Sequence, residues 1–184
     1  DFFFFIPSVP APEMVNEVAI KMLQEMDPVV LHGYTSAQGD AVVRKQIADN
    51  LNSRFATSFP PENLYMTVGA AASLCCCLNG LCNPGDEVIV FAPFFPEYRV
   101  FIEGAGAKMT MIPADTEAFQ IDFAAFEAAI NEKTKAVIVN SPNNPSGTLY
   151  SEDTVKKLAS VLEDASKKFG QPIFLLADEP YREI

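Results

Sequence analysis

Four short strings in this sequence carry groups that could hold a ligand. The last along the chain is Asp178-Glu179-Pro180-Tyr181, directly after the apolar run Ile173-Phe174-Leu175-Leu176-Ala177. A carboxylate that ends a buried strand needs a partner, because burying it unpaired is costly. A protonated ring nitrogen would serve, and so would a helix cap or a structural salt bridge. Before it comes Asn140-Ser141-Pro142-Asn143-Asn144-Pro145-Ser146-Gly147. Its two prolines and its glycine fix a turn that holds asparagine amides at a sheet edge, although a plain turn draws on the same residue types. In Pro93-Phe94-Phe95-Pro96-Glu97-Tyr98, an aromatic can form a flat wall against a planar group or simply pack in the core. In Thr67-Val68-Gly69-Ala70-Ala71-Ala72-Ser73, glycine and alanines lead into a helix without bulk. The free N–H groups there suit a phosphate, and close strand–helix packing would use the same residues. This string is neither a GxxxxGK loop nor a GxGxxG dinucleotide fingerprint.

These strings need elements to position them. Residues 12–26 predict a helix, with Met14, Val18, Met22 and Met26 at four-residue spacing. A polar loop with Gly33, Tyr34 and Gly39 follows, and Asp40 can cap a second helix striped by Val43, Ile47, Leu51 and Phe55. Beyond Pro60-Pro61, short apolar runs alternate with helical periods. Strands are expected at 64–68, 87–91, 108–112, 136–139 and 173–177, and helices at 70–82, 97–103, 122–130 and 152–169. Near-continuous apolar strands between helices indicate an α/β domain with a mainly parallel sheet. In such a sheet ligands sit beyond the carboxyl ends of the strands, and each of the four strings follows an expected strand.

The chain has 184 residues, of which 49% are hydrophobic, enough for a sizeable core. Its formal net charge of −11 supplies no basic footprint for nucleic acid. No run is long enough to span a membrane. Cys75, Cys76 and Cys77 are consecutive, so on a helix they diverge by about 100° each. With Cys82 they are expected to be buried, reduced side chains rather than a disulfide or metal site, which points to the cytoplasm. The opening Phe2-Phe3-Phe4-Phe5-Ile6 is expected to be a buried strand, not a signal peptide. Neither end reads as a natural terminus, so a longer parent protein is expected.

Taken in order, Gly33-Tyr34, Gly69-Ala70-Ala71, Phe95, Asn144-Pro145-Ser146-Gly147 and Asp178-Glu179-Pro180-Tyr181 resemble the fold-type I pyridoxal-phosphate enzymes, specifically the class I/II aminotransferase family. The resemblance runs from about Pro7 to the end of the chain. It implies a three-layer α/β large domain, preceded by an N-terminal helical segment. Residues 1–34 would form that segment, and 35–184 the first part of the cofactor-binding domain. It implies pyridoxal 5'-phosphate as cofactor, with Asp178 on the pyridine nitrogen and Asn144 and Tyr181 on the phenolic oxygen. Phe95 would lie against the ring, and Gly69, Ala70 and Ala71 at the phosphate. Tyr34 resembles the family's tyrosine that reaches the neighbouring subunit's phosphate, implying a homodimer. His32 is given no catalytic role.

Two departures stand beside the resemblance. Where the family has a glycine-containing segment near the substrate, this chain has Phe2-Phe3-Phe4-Phe5-Ile6. The family's Schiff-base lysine belongs to a later segment, and none of the lysines between Lys21 and Lys168 matches its motif. The intact parent is therefore expected to move an amino group from an amino acid to a 2-oxo acid, with this chain alone inactive. C–S lysis or other Cα-carbanion chemistry on the same scaffold is the alternative. A non-enzymatic alternative is the effector-sensing domain of a regulator. No nucleic-acid, membrane or metal partner is expected.

Overall fold

The computed structural model describes residues 10–115 and 117–183. The phenylalanine run at 2–6 lies outside them. The chain forms two compact units that divide between Met66 and Thr67. The expected boundary at 34/35 falls inside the first.

In the first unit, helix α1 (Glu13–Glu25) is followed by a single capped turn, α2 (Pro28–Leu31). The Asp27 carboxylate accepts from the Val29 and Val30 N–H groups at 2.7 and 3.3 Å. Asp40 caps α3 (Ala41–Phe55) in the same way, accepting from Val42 and Val43 at 2.9 Å. Such caps satisfy N–H groups that a helix start leaves orphaned. The buried face of α3 departs from expectation. It centres on Arg44 and Ala48, while Val43 and Phe55 are exposed. The cause is the Arg44 guanidinium, which donates to the carbonyls of Gly39 at 3.3 Å and Pro61 at 2.9 Å. That turns the helix one position round from its apolar stripe and buries the arginine stem.

The strand expected at 64–68 does not form among the described residues. Met66 N–H donates to the Gln38 carbonyl at 3.0 Å and the Gln38 amide to the Tyr65 hydroxyl at 2.8 Å, so this stretch is tied to a loop rather than to a ladder.

The second unit is built on a parallel sheet of β1 (Glu87–Phe91), β2 (Lys108–Ile112), β3 (Thr134–Asn140) and β4 (Phe174–Asp178). The spatial order is β2-β1-β3-β4. Alternate side chains feed two cores. Ile89, Phe91 and Val137 face α6 (Phe123–Ala129) and α7 (Glu152–Phe169), meeting Phe126, Leu158 and Leu162. Val88, Val90, Ala136 and Ile138 face α4 (Ala70–Leu81) and α5 (Tyr98–Gly104), meeting Leu74, Leu78, Tyr98 and Ile102. Helices on both faces make three layers, which is why the central strands read as unbroken apolar runs.

Two expectations are corrected. The strand expected at 173–177 forms as β4 one residue further on: Ile173 is buried, Phe174 and Leu175 are exposed in this chain, and Asp178 is the strand's last residue. The cysteines are not a buried set. Leu74 and Leu78 take the core face of α4, which leaves Cys76 and Cys77 exposed and Cys75 and Cys82 half-buried. Successive 100° steps cannot turn three adjacent residues inward. Among the described residues no helix is long and apolar enough to cross a membrane.

The topology itself selects a place for a ligand. From β1 the chain crosses to β2 on one side, whereas β3 lies on the other side of β1 and leads on to β4. The loops leaving β1 and β3 therefore part in opposite directions and open a crevice beyond their carboxyl ends.

Candidate active site

Each side of that crevice is held by a loop that follows from its local sequence. After β3, Asn143 stitches its own turn together. Its side-chain oxygen accepts from the Ser146 N–H and hydroxyl at 3.1 and 2.8 Å, and its carbonyl accepts from Gly147 N–H at 2.7 Å. Gly147 has φ +72°, a left-handed conformation that glycine adopts without Cβ strain. The Asn143 amide then donates to the Pro93 carbonyl at 3.0 Å, joining this turn to the loop after β1. The peptide bonds before Pro93, Pro142 and Pro145 are cis.

Asn140, buried at the end of β3, joins the third loop. Its amide donates to the Asp178 carbonyl at 2.8 Å, and its side-chain oxygen accepts from Asn144 N–H at 2.6 Å. Two asparagines thus tie the ends of β1, β3 and β4 into one rim.

Within the rim lies a cleft of about 200 Å³ whose lining includes Ala70, Ala71, Phe95, Asn144, Asp178 and Tyr181. The Asn144 amide donates to the Tyr181 hydroxyl at 3.2 Å. Phe95 is half-buried and meets Tyr98 edge-on, with ring centroids 5.7 Å apart. Ala70 and Ala71 open α4 behind Gly69, which has φ +85° and no side-chain cap. Tyr98 is buried, and its hydroxyl donates to Asp178 Oδ2 at 2.5 Å. Desolvation, reinforced by the Asp178 carboxylate, raises the Tyr98 phenol well above its ordinary range, so it remains a neutral donor.

Six of the residues singled out from the sequence therefore line one cleft, with Gly69 adjoining them. Tyr34 belongs to the first unit, where its side chain is exposed. Tyr98, Asn140 and Asn143 are not among the residues singled out. A signal exists for the first two: a tyrosine opening a helix against a sheet must bury its hydroxyl with a partner, and an asparagine ending an apolar strand needs several.

The donor set fits pyridoxal phosphate. The lining offers a carboxylate for a ring nitrogen, an amide–phenol pair for a phenolic oxygen, and uncapped helix N–H groups for a phosphate. An aromatic, Phe95, belongs to the same lining.

Comparison with known proteins decides the family. The model of "Aminotransferase class I and II" matches residues 9–183. The chain belongs to this aminotransferase family. Among class I and II relatives, a putative aminotransferase of Bacillus subtilis is 35% identical over 175 residues, 92% of this chain and 42% of the relative. The aspartate aminotransferase of Thermotoga maritima is 31% identical over 179 residues, 97% of this chain and 45% of its own length. An amino transferase crystal structure from Eubacterium rectale superposes with a TM-score of 0.97 at 56% identity, covering all of this chain and 46% of that one. A Thermus thermophilus aspartate aminotransferase gives 0.85 at 28% identity, covering 98% and 45%. The chain thus spans under half the length of the aminotransferases it matches, and membership implies pyridoxal phosphate as the family's cofactor.

Proposed function

We propose that the whole protein carrying this chain transfers an amino group from an amino acid to a 2-oxo acid, and that this chain supplies most of the cofactor cradle. The observation that carries the reading is the convergence, in an aminotransferase-family chain, of Asp178, Asn144, Tyr181, Phe95 and the start of α4 on one cleft. Pyridoxal phosphate, when bound, supplies an electron sink for the charge left at the substrate's Cα.

The residues of this chain have distinct tasks. Asp178 holds a proton at the pyridine nitrogen by offering it a negative partner. The Asn144 amide and the Tyr181 hydroxyl hold the phenolic oxygen. Because Tyr181 accepts from Asn144, its own proton is free to be donated. Phe95 excludes water from one side of the ring, and the Ala70 and Ala71 N–H groups hold the phosphate, with the α4 dipole adding attraction. Tyr34 is assigned to the phosphate of a neighbouring subunit in a homodimer. No lysine lines the cleft among the described residues, so the amine that binds the cofactor covalently comes from elsewhere in the whole protein.

Incubating the full-length protein with pyridoxal phosphate tests this. A visible absorbance band that borohydride fixes onto the protein is expected, together with 2-oxo acid formation from amino acids when pyruvate is the acceptor. No band and no trapped cofactor would overturn the reading, and thiol release from cystathionine would redirect it to C–S lysis.

A further inference from the structure

Tyr98 joins two parts of the cleft that the sequence keeps 80 residues apart. Its ring is 1% exposed and packs in the core beside Leu74, Leu78 and Ile102, so the surrounding fold fixes its position. From there its hydroxyl reaches Asp178 Oδ2, while its ring edge meets Phe95. The main chain of Asp178 is held separately, by the Asn140 amide on its carbonyl.

We propose that Tyr98 is a positioning residue: by occupying Oδ2 it sets the Asp178 carboxylate in one orientation and leaves Oδ1 to meet the pyridine nitrogen of the cofactor. Through the same ring it couples the position of Phe95 to that of the carboxylate. The inference rests on the cofactor assignment given above. A hydrogen bond to an ionised partner is among the stronger ones, and it works here by orientation, since a few tenths of an ångström decide whether a carboxylate and a ring nitrogen share a proton well.

The test uses the full-length protein loaded with cofactor labelled with nitrogen-15 in the pyridine ring, comparing Tyr98→Phe, Asp178→Asn and the double variant. Tyr98→Phe keeps the ring and deletes only the hydroxyl. It should weaken cofactor binding by about tenfold and move the ring nitrogen's resonance part of the way towards its unprotonated position. Asp178→Asn should move it fully, and adding Tyr98→Phe to that variant should change neither quantity further. Full-sized losses from Tyr98→Phe on the Asp178→Asn background would mean a packing role only and overturn the proposal. So would an unmoved resonance in the single variant. If Asp178→Asn itself leaves the resonance unmoved, the cofactor assignment of Asp178 fails first and takes the inference with it. Thermal unfolding of the cofactor-free variants separates misfolding from misplacement. Should Tyr98→Phe fail to fold, 3,5-difluorotyrosine at position 98 retains shape and donor but alters its acidity. The ring-nitrogen resonance should then shift, and no shift would overturn the proposal.

Discussion

Asn143 makes more specific contacts than its place in a turn suggests. It spans its own loop and the Pro93 carbonyl, and it is buried. Replacing it with alanine leaves the Pro93 carbonyl and the Ser146 N–H without partners, so Asn143→Ala should cost about 1–3 kcal/mol of stability in denaturant titration. Cofactor affinity should fall with it, because Phe95 and Asn144 sit on the two loops it joins. The tyrosines set an alkaline limit. Burial pushes the Tyr150 phenol from 10.0 up to about 12, and burial with Asp178 alongside raises Tyr98 in the same direction. Both are raised in the fold, so the stability they contribute is whole below the unfolded value of 10.0 and is lost as pH climbs through the folded values. Circular dichroism should show resistance to denaturant falling from pH 10 towards 12, and Tyr150→Phe should flatten that decline. At this scale the sequence discloses most of the residue types that line the cleft, because Phe95, Asn144, Asp178 and Tyr181 come at or just after strand ends, whereas Ala70 and Ala71 open α4 with no strand before them. It conceals the partners: the Tyr98–Asp178 bond depends on a helix and a strand whose pairing appears only once the sheet is assembled.

Among the elements, α7 has the fullest set of end signals. Ser151 caps it by accepting from Thr154 N–H at 3.1 Å, acids occupy its first turn, lysines its last, and Gly170 closes it at φ +68°. Its limits are therefore legible beforehand, and Ser151→Ala should lower stability by about 1 kcal/mol, readable as a shift in the unfolding midpoint. Phe126 is fully buried on α6 and meets Phe91 edge-on at 5.1 Å; Phe126→Ala should cost about 3–5 kcal/mol in the same measurement. The misjudged elements fail for physical reasons. Residues 64–68 have strand-forming side chains, but an extended segment becomes a strand only when a neighbour pairs with it. In α3 the apolar stripe is real, yet Arg44 finds two carbonyls on the adjacent face, and a charged donor with partners outweighs a few half-exposed aliphatic groups. On α4 the cysteines are small and apolar, but two leucines already fill the positions that reach the core.

For the molecule as a whole, family and parallel layering follow from the order of motifs, whereas substrate choice does not, since no selective side chain is assigned in this chain. On the proposed function, the amine for the covalent chemistry is assigned to sequence outside these 184 residues. The isolated 184-residue chain, mixed with pyridoxal phosphate and reduced with borohydride, should carry no specific lysine adduct by mass spectrometry. One modified at a single lysine would contradict the assignment of the amine to another segment.

The Asn140 amide has a further consequence. It bridges the last residue of β4 and the loop after β3, so the cleft is complete only while β4 is zipped to β3. Any ligand gripped by these loops acts as a clasp on that strand and selects the zipped population over the frayed one. At a hundredfold excess over its dissociation constant such a ligand adds about 2.7 kcal/mol to the folded state. Amide exchange along Phe174–Asp178 should slow accordingly, so β4 would report occupancy of the cleft without any turnover.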